Sequence, residues 1–147
     1  MERTFHMLLY RAFHAQRNFL RPCLGQIGLE VGQPKLLTYL EKNGPCQQNQ
    51  LAEYFEVDSA AISRMLNSLE KGGFVTRQAN EANRRSNRIE LTEKGRRAVS
   101  EWQGHCREME DIMLRGFSEE EKAQFAAFLA RAYRNIHDEK EAPSCGI

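Results

Sequence analysis

Hydrophobic positions recur along this chain in short periodic runs, and each run predicts an element. Between Asp58 and Lys71, Ile62, Met65, Leu66 and Leu69 stand at i, i+3, i+4 and i+7, the spacing that puts four side chains on one stripe of a helix. The opposite face carries Ser59, Ala60, Ser63, Arg64 and Asn67, and no acid until Glu70. Asp58 or Ser59 can cap its start, and Gly72-Gly73 predicts its end, because glycine takes the left-handed conformation that closes helices. Two β-favouring runs follow, Phe74 to Arg77 and Arg88 to Thr92, separated by the polar, turn-rich QANEANRRSN.

Upstream, Phe5, Leu8, Leu9, Ala12, Phe13 and Leu20 keep a helical period; Pro22 predicts the stop, and a loop over Gly25, Gly28 and Gly32 follows. Pro34 suits the first turn of a second helix, with Leu36, Leu37 and Leu40 inward and Gly44-Pro45 ending it. A third helix, Gln48 to Phe55, buries Leu51, Ala52 and Phe55. With the Glu56-Val57-Asp58 turn it forms the first arm of a helix-turn-helix whose second arm is the helix described above. Downstream, Thr92 can cap a long helix on which Val99, Trp102, Cys106, Met109 and Met113 alternate steps of three and four, a seam that asks for a partner helix. Ser118 with Glu121 has the form of a capping box, opening a last helix with Phe125, Phe128, Leu129, Ala132 and Ile136 on one stripe; after Asp138 the polar tail is expected to fray.

Charge adds a location. From Arg77 to Arg97 there are seven Lys/Arg against three Glu, an excess of four in a chain whose net charge is +1, so the remainder is net negative and the positive field is concentrated at this hairpin. A reading helix followed by a basic hairpin points to double-stranded DNA. With 147 residues, 41% of them hydrophobic and 28% charged, the chain has the mixture of one soluble globular domain. No apolar run approaches the ~20 residues of a membrane helix, and MERTFHMLLYR lacks the features of a secretory signal, so a cytoplasmic protein without a membrane partner is expected. Cys23, Cys46, Cys106 and Cys145 form no C-x-x-C pair, and His6, His14, His105 and His137 make no ligand pattern; neither metal nor cofactor is expected. No G-x-S-x-G, phosphate-binding glycine loop or Cys/His dyad supports an enzyme.

The run S-x-x-x-S-R-x-x-x-x-L-E-x-x-G-F-V-x-R, then N-R-R, then L-T-x-x-G resembles the MarR family of winged helix-turn-helix transcriptional regulators. The order of helices around it agrees over nearly the whole chain. One position departs from the family pattern: Asn83 stands where an Asp usually pairs with the wing arginine, and Asn hydrogen-bonds but forms no ion pair. The resemblance implies a mainly α fold with a small two- to three-stranded β-wing, as a single domain over 1–147. The winged helix would cover about 33–95, with dimerisation helices at about 3–21 and 96–138. From the residues alone, the long apolar faces at both ends can be covered by a second copy or by the chain's own winged helix. The resemblance favours the homodimer.

On that basis the expected function is sequence-specific regulation, as a repressor on a pseudo-palindromic operator; a nonspecific architectural DNA binder is the alternative. Arg64 and Asn67 are expected on bases, arginine suiting guanine and asparagine adenine, with Ser59 and Ser63 on phosphates and Ala60 beside them. Arg77, Arg84, Arg85 and Arg88 form the basic hairpin, and the resemblance makes Arg85 the minor-groove residue. Some members of the family bind small aromatic effectors between the dimer helices and the winged helix, where Phe13, Trp102 and His105 are candidate lining. Others sense peroxide through thiols, for which Cys23 and Cys106 are candidates against the competing reading of inert buried cysteines. A constitutive binder controlled by its own abundance stays open.

Overall fold

The apolar stripes close around a core in the computed structural model, which describes residues 4–79, 82–83 and 87–141. The chain forms two compact units, Met1–Met109 and Glu110–Ile147. In order, the elements are α1 (Phe5–Ile27), α2 (Gln33–Asn43), β1 (Cys46–Gln47), α3 (Gln48–Phe55), α4 (Ser59–Lys71), β2 (Val75–Gln78), β3 (Arg88–Leu91), α5 (Glu93–Met113) and α6 (Glu119–Glu141). The expected class is the observed one: mainly helical, with one small antiparallel sheet in the order β1-β3-β2.

The core is built where the stripes predict it. Leu36 and Leu37 of α2, Leu51 of α3, and Ile62, Leu66 and Leu69 of α4 are fully buried, and Ile89 and Val99 join them from the wing and α5. Met65, Ala52 and Phe55 pack against this cluster while staying partly exposed. Asp58 caps α4, its Oδ1 accepting the Ala61 N–H at 2.8 Å, as a short acid at this position should.

Two expectations need correcting. First, α1 does not stop before Pro22 but runs through it to Ile27. A proline inside a helix costs about 3 kcal/mol, largely through the missing N–H and the clash with the preceding turn. Continuing the helix carries Leu24, 9% exposed, into the core and packs Ile27 against it; a buried leucine returns about 1.5–3 kcal/mol, and the two together offset the proline. Gly28, at φ 92°, then closes α1, and its N–H and that of Leu29 both donate to Leu24 O at 2.9 Å. Second, α6 continues past Asp138 to Glu141, while the rest of the tail expected to fray, 142–147, lies outside the described residues.

β1 gives the sheet its third strand. Cys46 pairs with Ile89 and Gln47 with Arg88, while β2 pairs Val75 with Leu91, Thr76 with Glu90, Arg77 with Ile89 and Gln78 with Arg88.

The start of α5 is tied to the end of α4 through the backbone around Phe74. Thr92 Oγ1 donates to Gly73 O at 2.6 Å and accepts the Gly95 N–H at 3.0 Å, capping α5 as expected; its own N–H donates to Phe74 O at 3.1 Å. Lys94 Nζ donates to Gly72 O at 2.7 Å and lies 4.6 Å from the Phe74 ring centroid, so a cation sits where the carbonyls of α4 end. Farther along, Val99 and Met109 of the predicted seam are buried and Trp102 packs on the core. At Val99 and Trp102 the seam thus faces the chain's own core, whereas Met113 at its far end is exposed.

In the second unit, Ser118 and Glu121 form the predicted capping box: Ser118 N–H donates to Glu121 Oε1 at 2.9 Å, and Glu121 N–H donates to Ser118 Oγ at 3.1 Å. The α6 stripe of Phe125, Phe128, Leu129 and Ile136 is exposed, as are Phe5, Leu8, Leu9 and Phe13 of α1. No helix among the described residues is long and apolar enough to cross a membrane.

Candidate nucleic-acid interface

Burying Ile62, Leu66 and Leu69 necessarily turns the other side of α4 outward. Ser59, Ala60, Arg64 and Asn67 are exposed and Ser63 is half-buried. Arg64 stands on its own line beside Ala60, while Ser63, Asn67 and Glu70 follow at i, i+4 and i+7 on a stripe that faces the sheet. Between that stripe and β2 lies a cleft of about 340 Å³, lined by Gln48, Ser63, Asn67, Glu70, Arg77, Ala79 and Asn87.

The two arginines nominated on the strands part company. Side chains alternate along a strand, so with Val75 inward Arg77 is inward too, on the face of its cross-strand partner Ile89. Its guanidinium donates to Asn67 Oδ1 and, at 3.1 Å, to Glu70 Oε1, and only 15% of its side chain is exposed. Arg88, paired with Gln78, lies on the other face and is exposed. Arg84 and Arg85 lie outside the described residues. The charge excess counted along the hairpin is thus not all outward-facing: Arg77 is matched by Glu70, and Lys94 is engaged at the end of α4.

Glu70, Gln48 and Asn87 were not nominated by the sequence. Glu70 could have been found, since it continues the Ser63–Asn67 line by one turn. Gln48 has no such signal; it opens α3, is buried, and its Oε1 has no hydrogen-bond partner among the described residues. No cluster of three or more His, Cys, Asp or Glu suited to a metal ion occurs among the described residues.

Of the candidate thiols, Cys23 and Cys106 are half-buried, while Cys46 of β1 is buried and its pKa is pushed up to about 11 by desolvation. A raised acid favours folding while it stays neutral. The contribution of the Cys46 thiol to stability is therefore complete below about pH 9 and is lost as the pH rises through about 11. At pH 8 only roughly one Cys46 in a thousand is thiolate, so in the folded chain iodoacetamide should leave it unmodified for as long as the fold persists. Peptide mass spectrometry checks this; rapid labelling of Cys46 without unfolding would contradict it.

A three-helix core, a second helix presenting a polar face and a β-hairpin beside it define a winged helix-turn-helix protein of the transcription-regulator class. The sequence profile of the MarR family matches residues 29–86, the stretch holding α2, α3, α4 and the first strand of the wing. Over 115 residues the chain is 30% identical to an uncharacterized HTH-type transcriptional regulator, YybA, of Bacillus subtilis, covering 78% of this chain and 77% of that one. A crystal structure of MarR superimposes with a TM-score of 0.82 at 28% identity, over 97% of this chain and 99% of the other. A cysteine-to-serine mutant of E. coli MarR, solved in complex with operator DNA, shares the fold at 20% identity and a TM-score of 0.74, over 86% of this chain and 91% of that one. The chain belongs to the MarR family of transcriptional regulators.

Proposed function

We propose that this regulator is a cytoplasmic homodimer that represses by binding a pseudo-palindromic operator, with the α4 helices of two copies entering successive major grooves. The observation that carries the reading is the outward face of α4, where Ser59, Ala60 and Arg64 stand exposed at the N-terminal end with no acid among them. The E. coli relative solved on its operator supports the same use of the fold. Arg64 and Asn67 meet bases, Ser59 and Ser63 meet phosphates, Arg84 and Arg88 add phosphate contacts, and Arg85 reaches the minor groove.

The test is affinity for the DNA flanking the chain's own gene against random DNA of equal length. Arg64→Ala should cost roughly 1–3 kcal/mol on the operator and less on random DNA, because a base contact discriminates and a phosphate contact does not. Arg85→Ala should instead weaken both and lower the salt slope by about one unit per half-site. Wild-type binding that is equally tight to both DNAs would leave only the nonspecific architectural reading. The same assay with small aromatic acids or peroxide added tests release by an effector. The ties from Thr92 and Lys94 to the end of α4 support that part of the reading, since a ligand that shifts α5 would move the reading helix with it.

A further inference from the structure

The cleft between α4 and β2 determines which end of the Asn67 amide faces away from it. Arginine carries only donors, so the atom that meets Arg77 must be Oδ1, whichever way the amide is drawn. The guanidinium is held in turn by Glu70 Oε1 at 3.1 Å, and its strand places it on the inward face. Oxygen and nitrogen diverge by about 120° from an amide carbon, so an Oδ1 drawn toward Arg77 turns Nδ2 and its two hydrogens the other way. Asn67 as a residue is exposed, so with Oδ1 held by Arg77 the Nδ2 end is the one left for a ligand.

We propose that Asn67 is a donor-only reader, set by Arg77, which selects guanine rather than the adenine that asparagine usually pairs with. The proposal rests on the reading of α4 as the helix that enters the major groove. Bidentate pairing with adenine needs Oδ1 to accept from N6 while Nδ2 donates to N7. Oδ1 already receives a charge-assisted bond, stronger than the neutral one adenine would bring, and the adjacent cation makes it a poor acceptor for a second donor. Guanine asks for no acceptor: its O6 and N7 both accept, and Nδ2 supplies both hydrogens. Arg77 is therefore a positioning residue, acting on specificity through Asn67, and Glu70 holds it in place.

Selection from a pool of randomised duplexes by the wild type, Asn67→Ala and Arg77→Met tests this. The base pair at which Asn67→Ala relaxes preference is the one Asn67 reads. There the wild type should favour guanine over adenine by about tenfold, and Arg77→Met, which has no side-chain donor, should shift the preference to adenine. An adenine preference at that pair in the wild type overturns the proposal, and this outcome decides even if Arg77→Met does not fold. A folded Arg77→Met that still selects guanine overturns it too. So does an Asn67→Ala that relaxes no base pair while the selected operator is still preferred, a result that leaves the regulator reading standing. A wild type that enriches no sequence at all overturns that reading instead.

Discussion

Replacing Gly95 by alanine should lower the unfolding midpoint steeply and remove operator binding with it. A Cβ at this position would lie 2.1 Å from the Phe74 carbonyl oxygen, 3.2 Å from its carbon and 3.0 Å from Leu91 Cδ2. The nearest obstacle is backbone, which cannot swing aside as a side-chain tip can. Phe74 is pinned at both ends, its N–H donating to Leu69 O at 2.9 Å and its oxygen accepting from Thr92 N–H at 3.1 Å. Overpacking costs about 1–3 kcal/mol, occasionally more, and a backbone clash belongs at the upper end, about 3 kcal/mol or beyond. Urea denaturation measures it. Gly25→Ala is the control of opposite sign: it sits inside α1 with open space around it, where alanine should add about 0.5–1 kcal/mol. Similar small shifts at both glycines would show that α5 can draw back from Phe74 and that the junction is loose.

Phe128→Asp should leave the chain folded but separate the proposed dimer. Phe128 is 60% exposed in the single chain, so a charge there meets water and the fold loses little. In a homodimer that covers the α6 face, the same carboxylate would be buried without a partner, a penalty of several kcal/mol. Light scattering at micromolar concentration should read two chains for the wild type and one for the variant. Loss of the second half-site should weaken operator binding by about 10²–10⁴-fold, since the second contact is no longer intramolecular. A wild type that scatters as one chain would defeat the dimer, and a variant that stays dimeric would move the interface off this face.

What could be read in advance follows the range of the interactions. α2, α3 and α4 were legible because their stripes, caps and terminating glycines act within a few residues, and Thr92 and Ser118 announced the helices they cap. Pro22 misled because its local cost is real, and only the packing of Leu24 and Ile27 beyond it outweighs that cost. β1 was invisible as a strand: two residues carry no period, and Cys46 pairs with Ile89 only once the whole chain has folded. At the site, the polar face of α4 was plain, but Arg77 was counted with the outward cations although the alternation from Val75 already pointed it inward. Its bond to Asn67 joins positions ten residues apart on different elements, and periodicity within one element says nothing about such a pair.

The 21 residues of α5 make a rod of about 30 Å, rooted by Thr92, Lys94 and Gly95 on the backbone of Gly72, Gly73 and Phe74 that follows α4. Such a rod acts as a lever. Tilting it by about 5° at the root carries its far end roughly 2.6 Å, and even about 1° carries it roughly 0.5 Å, the margin between a hydrogen bond made and one lost. Angular play at the root is thus amplified at the tip, while a displacement of about 2.6 Å imposed at the tip turns the root by only about 5°. A junction that keeps that angle has to be short, and this one is: a threonine bonded directly to the main chain, and a glycine whose missing methyl lets two backbones touch.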